Sequence, residues 1–299
     1  MLVVDYKAGQ LANRLFHFSY FIANSVEYNY RLVNPYFKEY RHLFPCVASN
    51  SYPGGNISTD FSGNKTSVVI IQNAIRIARK FAKRYDNTFM RCVFHNIRQT
   101  NDTVHSEFDM NDPSFIKMVK HKIVFAKGWY YRDTVNLNRH ADLIRKIFTL
   151  RKEDAEKVNE ITGRAKENNK IVVAVHLRKG DYKNFFEGRW YYEDDIYFAK
   201  MKSLKELLQA FGKETVFIMC SNERVCRDHF KDLDIIVSEH EPVIDLYAMA
   251  SCDYIIGPPS TFTMWASYYG NVPLLILKNK MQQVLLNDFR IMKGIEGFF

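Results

Sequence analysis

The sequence predicts an α/β protein with a mainly parallel sheet and helices on both faces. Three observations predict it. From residue 171 onward, short apolar runs of strand length alternate with longer amphipathic segments, the pattern of repeated strand–helix crossovers. Three of those runs end in polar, titratable loops, as buried strands do where ligands bind at their carboxyl edge. The chain also opens as strand, loop and helix.

The elements follow in order. Leu2-Val3-Val4 reads as a strand and residues 6–10 as a loop containing Gly9. Leu11, Leu15, Phe18 and Ile22 then share one helical face. Asn13 and Arg14 fall in the first turn of that helix, where free backbone N–H groups favour anions. Residues 45–68 and 100–113 are rich in Gly, Pro, Ser, Asn and Asp and read as irregular. Between them, Arg76, Arg79, Lys80, Lys83 and Arg84 alternate with Ile75, Ala78, Phe81 and Ala82 as a basic amphipathic helix. A solvated face explains it, and peripheral contact with a membrane surface is the alternative. Residues 123–126 predict a strand, and 138–148 and 151–168 predict helices.

The second half is more regular. Strands are predicted at 171–177, 215–220, 234–237, 253–257 and 272–276, and helices at 194–210, 243–251 and from Phe262 to Tyr269. Ser221, Asn222 and Glu223 read as a helix N-terminus. A last helix is expected near 281–293, crossing back toward the first lobe. Two domains are expected, 1–165 and 166–299.

Composition narrows the class. The chain has 299 residues, 47% hydrophobic and 25% charged, which excludes a disordered chain. No apolar run is long enough to span a membrane. Met1 leads directly into a strand, so a secretory signal is not expected and a cytoplasmic location is, with peripheral contact at the inner membrane face through the basic helix. The sequons at Asn56, Asn64 and Asn101 then carry no glycan. Five scattered cysteines without CxxC spacing point to reduced thiols and against structural zinc. The formal net charge of +9 favours anionic partners. No nucleic-acid motif accompanies it, so the anion expected is small and phosphorylated.

The chemistry concentrates in three loops that should open on one sheet edge. They carry His176, Arg178 and Asp181, then Ser221 and Asn222, then Ser260, Thr261 and Phe262. Arg178 offers a planar forked cation suited to phosphate, and His176 points the same way along a strand. Ser260 and Thr261 precede a helix and suit a diphosphate, or plain capping. There is no GxxxxGK[ST] run and no GxGxxG, which excludes a P-loop site and weakens a dehydrogenase reading.

At these residues the chain resembles the fucosyltransferase superfamily, and within it the bacterial α1,2-fucosyltransferase-like proteins of glycosyltransferase family 11. Residues 176–181, His-Leu-Arg-Lys-Gly-Asp, are similar to its HxRxGD motif. Asp245, Met249, Cys252, Ile256 and the run Ser260-Thr261-Phe262 with Trp265 are similar to its DxxxMxxCxxxIxxxSTFxxW motif. Gly9-Gln10-Leu11-Ala12-Asn13-Arg14-Leu15-Phe16 is similar to its N-terminal GGLGNxLF loop. Residues 40–120 match nothing recognisable.

The resemblance implies a GT-B architecture, two Rossmann-like lobes facing a cleft, with an acceptor-side first lobe and a nucleotide-sugar-binding second lobe. It implies GDP-fucose as donor, a glycan acceptor, inversion at the anomeric carbon, and neither cofactor nor metal. Carried over by position, Arg178 clamps the β-phosphate and Asp181 is the motif's carboxylate, a base or an orienting partner. Glu187, Asp194 and Asp195 compete for the role of base. His176, Ser260, Thr261 and Phe262 line the donor, and Asn13 and Arg14 approach it from the other lobe; Ser221 and Asn222 join the donor site from the loop reading alone. The chain departs from the pattern at Ala12, Arg14, Lys179 and Pro258-Pro259, which bears on the transferred sugar. Transfer of another nucleotide sugar, and binding without catalysis, remain the alternatives.

Overall fold

The computed structural model describes residues 1–53, 57–59, 94–98, 107–166 and 169–296. The basic segment Arg76–Arg84, the three sequons and Cys92 lie outside the described residues. The chain divides into two compact units, Met1–Arg151 and Lys152–Phe299.

The first unit contains β1 (Leu2–Val4), α1 (Leu11–Tyr28), β2 (Leu32–Val33), α2 (Pro45–Ala48), β3 (Ile57–Ser58), β4 (Phe94–Arg98), β5 (Phe108–Asp109), α3 (Pro113–His121), β6 (Ile123–Lys127), β7 (Tyr131–Arg132), α4 (Thr134–Arg139) and α5 (Ala141–Ile147). Its main sheet runs β3-β2-β1-β6-β4, parallel throughout. Strand order reverses at β1, so the loops after β1 and β6 meet at a topological switch point. Fully buried Leu2 and Val4 explain why so short a strand holds the centre of this sheet.

Two helices here depart from expectation. The segment 138–148 is two helices, broken at His140, because Asp133 caps an earlier start by accepting from the Asn136 N–H at 3.1 Å. Helix α3 was not expected at all. Its signal is Asp112-Pro113: the Asp112 carboxylate accepts from the N–H groups of Ser114 and Phe115, and Pro113 needs no donor at N1.

The second unit contains α6 (Lys152–Lys166), β8 (Ile171–Leu177), α7 (Asp194–Gln209), β9 (Thr215–Ser221), β10 (Ile235–Val237), α8 (Pro242–Met249), β11 (Tyr254–Gly257), α9 (Thr261–Gly270) and β12 (Leu274–Ile276). Helix α6 packs against α8 and β8 and so belongs to this unit. The sheet runs β10-β9-β8-β11-β12, all parallel as the alternation predicts. Val173, Val175, Phe217 and Met219 face Tyr197, Met201, Leu204 and Leu208 of α7 in one buried cluster.

Two expectations in this unit fail. No α-helix follows Ser221; a turn leads to a 3₁₀ segment at Arg227–Phe230, because residues 222–226 offer no helical apolar stripe. No α-helix occupies 281–293 either. That stretch runs extended apart from a 3₁₀ turn at Leu286–Asp288 and pairs with β12 through the Leu274–Arg290 bridge. Val284 is buried in the second unit's core and Phe289 packs edge-on against Tyr254, which holds the tail to this unit.

Candidate functional site

Strand order in the second unit reverses at β8, between β9 and β11. A crevice outside the carboxyl ends of β8 and β11 is therefore the place where such sheets bind ligands. The loop after β8 carries residues 178–181, and the loop after β11 carries residues 258–260.

Arg178 stands at the centre of the first loop. Its guanidinium makes an ion pair with Asp181 at 2.8 Å and lies over the Tyr182 ring at 5.4 Å. Its side chain is 28% exposed, while its Nε is buried with no hydrogen-bond partner. A buried N–H without an acceptor is costly and marks a site that a ligand can complete. The Arg178 amide donates to the Tyr197 hydroxyl at 3.3 Å and the Lys179 amide to Asn222 Oδ1 at 2.8 Å, which fix the turn from below. Asn222 thus braces the loop. Gly180 adopts φ +48°, and a Cβ there would lie 2.7 Å from Asn222 Nδ2.

His176 is buried at the end of β8. Burial, and secondarily the neighbouring Arg178 charge, push its pKa down to about 3, so the imidazole is neutral. Its ring packs on Phe262 at 5.1 Å, and Nδ1 is buried without a partner. Gly257 on β11 permits this approach: a Cβ there would lie 3.1 Å from His176 Cβ and 2.9 Å from Thr263 Cγ2.

Ser260 caps α9, accepting from the Phe262 N–H at 3.2 Å, while Thr263 Oγ1 donates to the Ser260 carbonyl. The Tyr182 hydroxyl donates to the Pro259 carbonyl at 2.6 Å and ties the two loops together. His176 thus touches Phe262 in the first turn of α9, and Tyr182, beneath the Arg178 guanidinium, is tied to the loop that leads into that helix.

Beyond the end of β9, an open groove of about 1030 Å³ is lined by residues 221–228 and 237–240. It brings Ser221 and Asn222 together with Arg224, Arg227 and His240, none of which the sequence singled out. Beside it, the Ser238 hydroxyl donates to the buried Asp245 carboxylate. Burial pushes the Asp245 pKa up to about 6 against opposing bonds from Ser238 and Cys220 and the nearby His240. Among the described residues, no cluster of three His, Cys, Asp or Glu side chains could hold a metal ion.

Asn13 and Arg14 belong to the first unit's own switch point. Gly9 (φ +21°) turns the loop, and a Cβ there would lie 2.2 Å from Asn13 Nδ2. Arg14 is 5% exposed. It donates to the carbonyls of Ala8, Gly9 and Tyr36 and pairs with Glu39 at 2.8 Å. Nearby, the Trp129 ring stacks with His17 at 5.6 Å and carries the Arg132 guanidinium at 4.5 Å.

Known proteins share this chain's fold and part of its sequence. The model of glycosyl transferase family 11 matches residues 75–283, so the chain belongs to that family. It is 24% identical over 196 residues to human galactoside α-(1,2)-fucosyltransferase 1, covering 60% of this chain and 50% of that protein. The chain spans about half the length of the curated relatives it matches. A mutant of Arabidopsis thaliana FUT1 in complex with GDP superposes with a TM-score of 0.61 at 12% identity, covering 99% of this chain and 74% of that one. NodZ α-1,6-fucosyltransferase soaked with GDP-fucose superposes at 0.50 and 13% identity, covering 96% of both chains. The fold is of the GT-B type.

Proposed function

We propose that the protein transfers fucose from GDP-fucose to a glycan hydroxyl, forming an α1,2 linkage with inversion and without a metal. The observation that carries this reading is Arg178 at the switch point, which among the described residues has a buried Nε without an acceptor and a carboxylate as its one ion-pair partner. Family membership, the α1,2 specificity named for the human relative and the GDP-fucose of the NodZ structure support the donor and linkage. The second unit holds the donor and the first serves the acceptor.

The chemistry follows from the charges. The acceptor oxygen attacks the anomeric carbon, the bond from that carbon to the β-phosphate oxygen breaks, and GDP leaves with added negative charge. Arg178 neutralises that charge, with the free N–H groups at the start of α9 beside Ser260, Thr261 and Phe262. The donor phosphate competes with Asp181 for the guanidinium. The freed carboxylate, 58% exposed, then takes the acceptor proton. Neutral His176 offers its unpartnered nitrogen to the donor, and Ser221 and Asn222 border the groove suited to the nucleoside. Asn13 is the first unit's candidate donor ligand, with Arg14 holding its loop. Among the described residues, no helix is long and apolar enough to cross a membrane.

Nucleotide-dependent thermal unfolding tests the donor. GDP at a hundredfold over its Kd should stabilise the protein by about 2.7 kcal/mol, and UDP or CMP at equal concentration by far less. A larger shift with UDP would replace the fucose reading with another nucleotide sugar. GDP-fucose turnover should survive EDTA.

A further inference from the structure

We infer that Lys179, the cation adjacent to Arg178, is a positioning residue that aims Arg178 from inside the protein and does not touch the donor. The inference rests on the reading that Arg178 serves the diphosphate. Two adjacent cations in a phosphate-binding turn suggest two phosphate ligands, but the structure separates them. Successive side chains of an extended segment point to opposite sides. Arg178 points out to the crevice. Lys179 points inward and its side chain is 9% exposed.

Its ammonium donates to the Tyr192 carbonyl at 2.7 Å and pairs with Asp194 at 2.8 Å at the start of α7. The Tyr191 and Tyr197 rings lie 5.2 and 5.6 Å away. Tyr197 also receives the Arg178 amide, and Tyr192 donates its hydroxyl to the Leu277 carbonyl at 2.8 Å. The Lys179 cation is thus a strut from the motif turn to the N-terminus of α7 and on to the sheet. Burial alone would raise the Asp194 pKa, but bonds from Lys179 and His229 outweigh it and hold it below the usual value, which keeps the strut ionic.

A double-mutant cycle separates a strut from a phosphate ligand. Arg178→Ala alone should lower kcat by roughly a hundredfold to a thousandfold. Lys179→Met, of similar length but uncharged, should lower kcat by roughly tenfold to a hundredfold through misplacement of the guanidinium. In the Arg178→Ala background the same Lys179→Met change should cost less than about threefold, because there is no guanidinium left to aim. Asp194→Asn cuts the strut at its other end, at a residue outside the crevice, and should repeat this coupling. Lys179→Arg keeps the cation on Asp194 and should recover most of the activity. Thermal unfolding confirms that each variant is folded, and Asp194→Asn carries the test if Lys179→Met does not fold. Equal losses from Lys179→Met with and without Arg178, or unchanged or raised kcat in Asp194→Asn, would overturn the inference. Normal turnover in Arg178→Ala would instead overturn the donor reading on which it rests.

Discussion

Arg14 and Arg178 occupy comparable places in the two units: each lies beside the switch point of a five-stranded parallel sheet, close to a glycine with positive φ. What surrounds them differs. Arg14 spends its donors on three carbonyls and one carboxylate and is buried at 5% exposure. Among the described residues Arg178 has one ion-pair partner, which is itself exposed, and an Nε without an acceptor. An arginine whose Nε and one terminal nitrogen are bonded to its own loop and its neighbours holds that loop; one whose buried Nε has no acceptor can receive an anion. The sequence assigns both to the donor, Arg178 as the phosphate clamp and Arg14 beside Asn13 as an approach from the first lobe.

The largest expected effect breaks the comparison if it fails. Arg178→Ala should cost about 3–4 kcal/mol of transition-state stabilisation while the protein stays folded. Arg178→Lys should recover part, since an ammonium keeps the charge without the planar fork. Steady-state kinetics beside a melting curve check both. Near-normal turnover in a folded Arg178→Ala variant would mean that the guanidinium with the unpartnered Nε is not the working group.

The reciprocal variant should show the opposite pattern. Arg14→Ala removes the donor from the Ala8 and Gly9 carbonyls and strips the cation from Glu39. Loss of charged hydrogen bonds at a buried site should cost about 2–3 kcal/mol of stability. Denaturant unfolding reads this directly. A marginal change in stability with a large loss of GDP affinity would move Arg14 from the holding class to the ligand class.

How much of this contrast was legible in the sequence depends on how local its cause is. The second unit's strands were legible because β8, β9 and β11 are buried on both faces and read as continuous apolar runs. Ser260 was legible as a cap or a cradle, and the structure shows the cap. In the first unit, β2 and β3 have two residues each and leave no periodic trace. The tail from 281 to 293 was expected to be a helix crossing back toward the first lobe. Its conformation is set instead by pairing to β12, a contact between positions distant in sequence. The burial of Lys179 was not legible either. The alternation rule puts it opposite Arg178, but only the fold supplies Tyr192 and Asp194 to receive it. Arg224, Arg227 and His240 became neighbours through the parallel register of β9 and β10, which no spacing encodes.

The smallest expected effects sharpen the comparison at its two glycines. Gly9 and Gly180 both sit at positive φ, and both would press a Cβ onto the amide nitrogen of an asparagine, Asn13 at 2.2 Å and Asn222 at 2.7 Å. Either Gly→Ala change forces a left-handed alanine and should cost about 1–2 kcal/mol of stability. Their functional consequences should diverge. Asn222 braces the Lys179 amide, so Gly180→Ala displaces the brace and with it the aim of Arg178. Gly9→Ala leaves Arg178 untouched and disturbs only the loop that Arg14 holds. Measured at a temperature where both variants are folded, GDP affinity should fall further in Gly180→Ala, which disturbs the aim of Arg178, than in Gly9→Ala, which acts only through Asn13. Equal losses of GDP affinity would show that the first unit's loop contributes to donor binding as strongly as the second's, and the distinction between a loop-holding and an anion-receiving arginine would no longer separate the two.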